Sequence, residues 1–154
     1  MSNESPGDCF NSETKDGYQI STDPTRLDVD AIHAFLVGAY WSIGIPRDLV
    51  ERSIAGSLCF GVYLRGEQVG FARVIGDAAT FAYVGDVYIL EPHRGRGLSK
   101  ELMAAVMRHP DLQGLRRIQL ATQDAHGLYR GFGFGELSAP EQLMEIRASN
   151  LYEQ

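Results

Sequence analysis

The run Asp86-Val-Tyr-Ile-Leu-Glu-Pro-His-Arg-Gly-Arg-Gly-Leu-Ser-Lys100 sends an apolar strand into two arginine-flanked glycines and then opens an amphipathic helix. That order builds an anion site. Gly95 and Gly97 let the backbone approach a ligand with no Cβ in the way. The first turn of the following helix has N–H groups without intrahelical partners, and the positive end of the helix adds to them, so a phosphate or pyrophosphate is favoured. Arg94, Arg96 and Lys100 bring charge to the same spot. Spacing excludes two other phosphate loops. A Walker loop needs Gly, four residues and then Gly-Lys-Ser/Thr, which the chain lacks. A dinucleotide fingerprint needs a third glycine where Lys100 stands, and it belongs among alternating strands and helices rather than after consecutive hairpin strands.

What remains, Arg94-Gly-Arg-Gly-Leu98 with Ser99 in the next small position, resembles the acyl-coenzyme A loop of the GNAT family of N-acetyltransferases. The segment Ala125-His-Gly-Leu-Tyr-Arg-Gly-Phe-Gly-Phe134 is similar to that family's Ala-x-x-Leu-Tyr-x-x-x-Gly-Phe segment, and the two motifs stand in the family's order. The resemblance runs from Gly17 to Arg147. It implies a single α/β domain with the acyl-CoA N-acyltransferase (GNAT) fold: a mixed, mostly antiparallel sheet with a bulged central strand and flanking helices. It also implies acetyl-coenzyme A as cosubstrate, no metal, and acetyl transfer to a primary amine, of a small molecule, peptide or protein, by direct attack on the thioester.

The site residues implied by the resemblance fall in three groups. Arg94, Gly95, Arg96, Gly97, Leu98, Ser99 and Lys100 hold the phosphates. Val87, Tyr88 and Ile89 offer main-chain groups to the pantetheine arm where a bulge at Gly85 splays the strand, and one amide there stabilises the thioester oxyanion. The alternative for Gly85 is a weakened strand or a bulge without ligand. Tyr129 matches the family's general acid, since a phenol of pKa about 10 stays protonated at neutral pH and can donate to a thiolate whose thiol has a pKa of about 8.5. Leu128 and Phe132 leave open a core tyrosine instead. The family's asparagine three residues before Ala125 is here Thr122, which can replace one of its hydrogen bonds but not both.

For the general base the residues offer two candidates. Asp86 beside the bulge is one, unless the strand points it at a helix. His126, one turn before Tyr129, is the other, with an ordinary pKa near 6.5; it can equally cap or pack its helix. Asp124 reads as a helix cap and His33 as a surface or boundary residue. On the acceptor side, over which the family places its first helix, Tyr40 and Trp41 can pack on an amine, or else close the core edge. Arg73 puts a charge among Val69, Phe71 and Ile75, where it either holds a substrate carboxylate or is a strand-end cation.

Composition agrees with one globular domain. The chain has 154 residues, 44% hydrophobic and 22% charged, enough to bury a core. A net charge of −6 argues against nucleic acid as a partner. With neither a signal peptide nor an apolar run of membrane length, a cytoplasmic enzyme is expected, without membrane contact. Cys9 and Cys59 have no metal-ligand spacing. Homodimers are common in the resembled family, so a homodimer is one expected state. A non-catalytic acyl-coenzyme A sensor or interaction module is the alternative to an enzyme.

Periodicity gives the layout. Residues 1–16 read as a flexible tail ahead of a domain over 17–154, beginning with a weak strand from Gly17 to Ser21. Asp28 caps a helix carrying Val29, Ile32, Leu36 and Tyr40 and ending near Trp41. A short helix lies between Pro46 and Gly56, and a hairpin turns at Arg65-Gly-Glu67. A strand from Thr80 to Leu90 leads to the loop helix with its stripe Leu98, Leu102, Met103 and Val106, stopped by His109-Pro110. Ile118 and Leu120 mark a buried strand, Asp124 caps a helix through Arg130, and strands near Phe134–Leu137 and Leu143–Arg147 close the sheet.

Overall fold

A computed structural model describes residues 9–152. The first eight residues of the expected tail lie outside the described residues. Six strands form one sheet in chain order: β1 (Asn11–Glu13), β2 (Gln19–Ser21), β3 (Leu58–Leu64), β4 (Glu67–Gly76), β5 (Phe81–Ile89) and β6 (Arg117–Leu120). All neighbours are antiparallel except β5 and β6, so the sheet is mixed and mostly antiparallel as expected. Helices α1 (Val29–Leu36) and α2 (Arg47–Ala55) connect β2 to β3, α3 (Leu98–Arg108) connects β5 to β6, and α4 (His126–Arg130) follows β6.

Helices cover both faces of the sheet. On one face α3 places Leu98, Leu102, Met103, Ala105 and Val106 against Phe60, Val62, Ala72, Val74, Ala82 and Val84. On the other, Ile32, Leu36 and Val50 of α1 and α2 meet Cys59, Phe71 and Tyr88. Burying a large apolar side chain contributes about 1.5–3 kcal/mol, so these two layers fix how the strands are stacked. Asp28 does cap α1, its Oδ1 accepting from the Ala31 N–H at 3.0 Å. His109 leaves α3 in extended conformation (φ −61°, ψ 134°), as a residue before proline must.

Two bulges break the alternation. Val62 pairs with Gly70 and Tyr63 with Gln68, so Val69 is an extra residue on β4. It therefore joins the α3 face instead of sharing the face of Phe71. Phe71 pairs with Tyr88 and Arg73 with Gly85, so Asp86 and Val87 of β5 oppose Ala72 alone. Asp86 sits at φ +52°, a left-handed conformation uncommon for a residue with a side chain.

The structure corrects several expectations. Residues 11–13 are not tail but a strand, because Phe10 packs edge-on to Phe60 at 6.3 Å and β1 pairs with β2. Helix α1 ends at Leu36, the chain continuing in turns, and Tyr40 is exposed. Ile118 and Leu120 are half-buried, since β6 has a neighbour on one side only. Asp124 does not cap α4; Thr122 Oγ1 accepts from the Ala125 N–H at 3.0 Å instead. The two closing strands are absent among the described residues. Residues 134–148 are irregular around a short 3-10 turn at Pro140–Gln142, and 141–150 are exposed throughout.

Candidate functional site

The loop between β5 and α3 is shaped by its two glycines. Gly95 and Gly97 have φ of +78° and +76°, and no atom lies within 4 Å of where a Cβ would stand, so what restricts these positions is backbone strain. Arg94 Nε donates to the Ile89 carbonyl at 2.8 Å and ties the loop to the strand end. No side chain caps α3, so its first N–H groups remain available beside exposed Arg96 and Lys100. Ser99 and Arg94 border the large cleft, whereas the Leu98 side chain is in the core.

Pairing between β5 and β6 stops at Val84 and Leu120. Beyond it, Gly85 to Ile89 continue with β4 on one side and no strand on the other. Free backbone groups therefore face the cleft beside the loop. Of the three residues expected there, Val87 and Ile89 pack on the α3 face and Tyr88 turns to α1, stacked on Phe35 at 3.7 Å. Burial foremost, then Asp86, pushes the Tyr88 phenol well above the usual tyrosine range. This phenol stays neutral; what these residues turn to the cleft is main chain.

Tyr129, near the end of α4, is buried and borders the same cleft. Its ring meets Phe134 edge-on at 6.0 Å, and its carbonyl accepts from the Phe134 N–H at 3.2 Å. Burial raises its pKa, with smaller contributions from nearby Tyr40 and Asp124, so it carries a proton at any physiological pH.

In the same cleft, the Asp86 side chain organises a second group of lining residues. Its Oδ1 accepts from Trp41 Nε1 and its Oδ2 from Arg73 Nε, both at 2.8 Å, and Arg73 Nη1 donates to Ser57 Oγ at 3.1 Å. The Arg73 and Asp86 side chains are only 18% and 10% exposed. Such a pair is held by mutual need, since removing either leaves a poorly hydrated charge. Trp41 leans on Phe35 at 6.3 Å and on Tyr40 at 5.0 Å, so the two expected aromatics do stand together at the rim.

Loop, open strand, Tyr129 and the Trp41–Asp86–Arg73 network share one cleft of about 1420 Å³. His126 is exposed at the start of α4 and does not border it. His33 bonds the Ile45 carbonyl at 2.9 Å, bracing the turns after α1. Sequence reasoning missed Arg52, Ser53 and Tyr83 on the wall, and Glu145, Ile146, Arg147 and Tyr152 from the irregular C-terminal segment. An arginine ending a helix or a residue in an exposed segment carries no local signal of its neighbours. Among the described residues no group of three or more His, Cys, Asp or Glu side chains is placed to hold a metal ion, and no helix is long and apolar enough to cross a membrane.

Known proteins share both sequence and fold with this chain. The family model of the Acetyltransferase (GNAT) family matches residues 23–134. A protein of Gibberella zeae named as an acetyltransferase is 35% identical over 139 residues, spanning 75% of this chain and 77% of its own. The crystal structure of a GNAT-family acetyltransferase from Xanthomonas campestris pv. campestris is 53% identical and superposes with a TM-score of 0.88, covering 93% of this chain and 100% of that one. At 15% identity, an acetyltransferase from Clostridium acetobutylicum solved with acetyl-CoA shares the fold with a TM-score of 0.58, over 85% of this chain and 95% of that one.

Proposed function

The chain belongs to the GNAT family of acetyltransferases, and from that premise we propose that it transfers the acetyl group of acetyl-coenzyme A to a primary amine by direct attack on the thioester. The observation that carries the reading is that a bare helix N-terminus, an unpaired stretch of strand and a protonated tyrosine border one cleft. The first N–H groups of α3, with Arg96 and Lys100, hold the phosphates. Main-chain groups of Val87, Tyr88 and Ile89 align the pantetheine arm, and an amide there polarises the thioester carbonyl.

The neutral amine enters past Tyr40 and Trp41. Its nitrogen forms the new N–C bond, the C–S bond breaks, and Tyr129 gives its proton to the departing thiolate. The proton lost from nitrogen goes to water in the open cleft, because both Asp86 oxygens are engaged and His126 stands away. Asp86 then serves as a positioning residue that sets Trp41 and Arg73. Thr122 uses one lone pair of its oxygen on the Ala125 N–H and keeps its hydroxyl proton and its other lone pair for the coenzyme arm.

The test is free-thiol release from acetyl-coenzyme A over amines, amino acids, polyamines and short peptides. Tyr129→Phe should bind the coenzyme as wild type does while turnover falls by about 10²-fold or more, the usual scale for a lost general acid. Unchanged turnover removes Tyr129 from the reaction. Coenzyme binding without release on any acceptor would favour the non-catalytic sensor.

A further inference from the structure

Two arginines of the cleft offer more than the transfer itself asks of them. Arg73 is pinned in place. Its Nε donates to Asp86 and its Nη1 to Ser57, whose own hydroxyl donates to the Ser53 carbonyl at 2.6 Å. A guanidinium carries five N–H groups on three nitrogens. Among the described residues Arg73 Nη2 donates to nothing, yet it is not one of the buried atoms left without a partner, so it opens on the cleft that Arg73 lines. Folding has already set its direction, so an anion that accepts from it bears little of the ordering cost.

Arg52 is the second. It stands in the last turn of α2, one residue before Ser53, so the hydrogen bonds from Arg73 through Ser57 to Ser53 tie its backbone to the Arg73 head. Asp48, one turn earlier on the same helix, has the spacing of an ordinary ion-pair partner. Among the described residues no ion pair joins the two: Arg47 pairs with Asp30 and Glu51, Arg73 pairs with Asp86, and Arg52 lines the cleft while Asp48 does not.

The other charges of the cleft are accounted for. Arg94 is tied to the loop, Asp124 adjoins Tyr129, and Glu145 and Arg147 have opposite signs two residues apart. A chain of net charge −6 thus keeps one cation in its cleft with no anion to answer it. Position limits what that anion can belong to. Arg73 is the cross-strand partner of Gly85, at the start of the stretch that aligns the pantetheine arm in the reading above, and neighbouring strands lie about 4.8 Å apart. An anion held there is close to the thioester carbon, so the attacking nitrogen is only a few bonds away from it.

We propose, resting on the acetyl transfer proposed above, that the acceptor is a small amine carrying a carboxylate or phosphate a few bonds from its nitrogen, with Arg52 as the residue that selects it. The anion accepts from Arg73 Nη2 and from the Arg52 guanidinium, completing a row in which Asp86 holds Arg73 and Arg73 holds the substrate. Tyr40 and Trp41 cover the remainder of the molecule. Polyamines and peptide amino termini, whose nitrogen has no anion beside it, are then poor acceptors.

The test pairs each anionic acceptor with its neutral counterpart: alanine and phenylalanine with their amides, and O-phosphoethanolamine with ethanolamine. Amine pKa values differ within each pair, so rates are compared at equal free-amine concentration. The anionic member should be favoured by about 10- to 100-fold in kcat/KM, and the pair showing the preference tells carboxylate from phosphate. Arg52→Gln should bring that ratio close to one, through KM, while acetyl-coenzyme A binding holds; Arg52→Lys should keep part of it. A second readout needs no turnover. Trp41 is the chain's single tryptophan and bonds Asp86, so its fluorescence should respond to propionate or methyl phosphate, which carry the anion without the amine, and respond less in Arg52→Gln. Equal use of anionic and neutral acceptors, a preference that survives Arg52→Gln, or a fluorescence titration identical in the two proteins would each overturn the proposal. A titration that depends on Arg52 in a protein that acetylates none of these amines would uphold the anion site and count against the transfer, so the two readings fail separately.

Discussion

On the side of the cleft where we propose that the coenzyme lies, the groups it would meet are main-chain atoms of one continuous stretch, from Gly85 through the loop to the first turn of α3. On the proposed acceptor side they are side chains gathered from separate segments: Trp41, Arg73, Asp86 and residues after Leu143, with Ser57 behind Arg73. A main-chain site is insensitive to most substitutions and vulnerable to those that change backbone conformation. A side-chain network is the reverse, since each member can be removed without moving the backbone, and the partners left behind bear the loss. Coenzyme binding and acceptor binding should therefore respond to different mutations.

Gly97→Val breaks the coenzyme side. A β-branched residue at φ +76° carries strain of about 1–3 kcal/mol, so acetyl-coenzyme A affinity should fall by about 10- to 100-fold as the loop escapes it, with the acceptor KM unmoved. Calorimetry and a two-substrate kinetic analysis read both; a valine variant that binds normally would separate the loop conformation from binding. Asp86→Asn strikes the other wall. It keeps the shape but leaves Arg73 without its counter-charge, and the destabilisation should be about 1–3 kcal/mol in thermal unfolding, with the acceptor KM rising while coenzyme affinity holds. If Asp86→Asn combined with Arg73→Gln costs no less than the sum of the two singles, the pair is not coupled as described.

Trp41→Phe removes one hydrogen bond and keeps the aromatic surface, so its effect on acceptor KM should be about 0.5–1.5 kcal/mol, up to about tenfold. The mildest probe is Cys59, packed beneath the acceptor wall, whose thiol burial pushes up to about 12 from 9.0. The folded state favours the neutral thiol, so this stabilisation is complete below pH 9 and is lost as pH rises toward 12. Alkylation near neutral pH should label Cys9 and spare Cys59; rapid labelling of both would mean the wall opens to water.

The same contrast explains how far the sequence could be read. Strand, double glycine and helix are contiguous, so the loop and its helical stripe were legible from spacing alone, as were the Asp28 cap and the β3–β4 hairpin. The Trp41–Asp86–Arg73 network was not, because nothing local says that residues 45 and 13 positions apart will meet. The alternation of Leu143 to Arg147 was visible, but these residues form no strand, because a strand needs a paired backbone and among the described residues theirs has no partner. Asp124 was the better cap by residue type, yet the turn brings the Thr122 hydroxyl to the Ala125 amide. Geometry settled what propensity left even.

The surplus residue in β5 has a further meaning for how this chain can change. Ala82 and Val84 face α3, and after the bulge it is Val87 and Ile89 that do so, so the even-numbered face before Asp86 becomes the odd-numbered face after it. Deleting one residue there would turn Tyr88 into the α3 core and expel Ile89, with the loop following out of phase. Chain length between Gly85 and Arg94 is thus under tighter constraint than the identity of most residues within it, and variants of this protein should accumulate substitutions in that stretch long before they tolerate an insertion or a deletion.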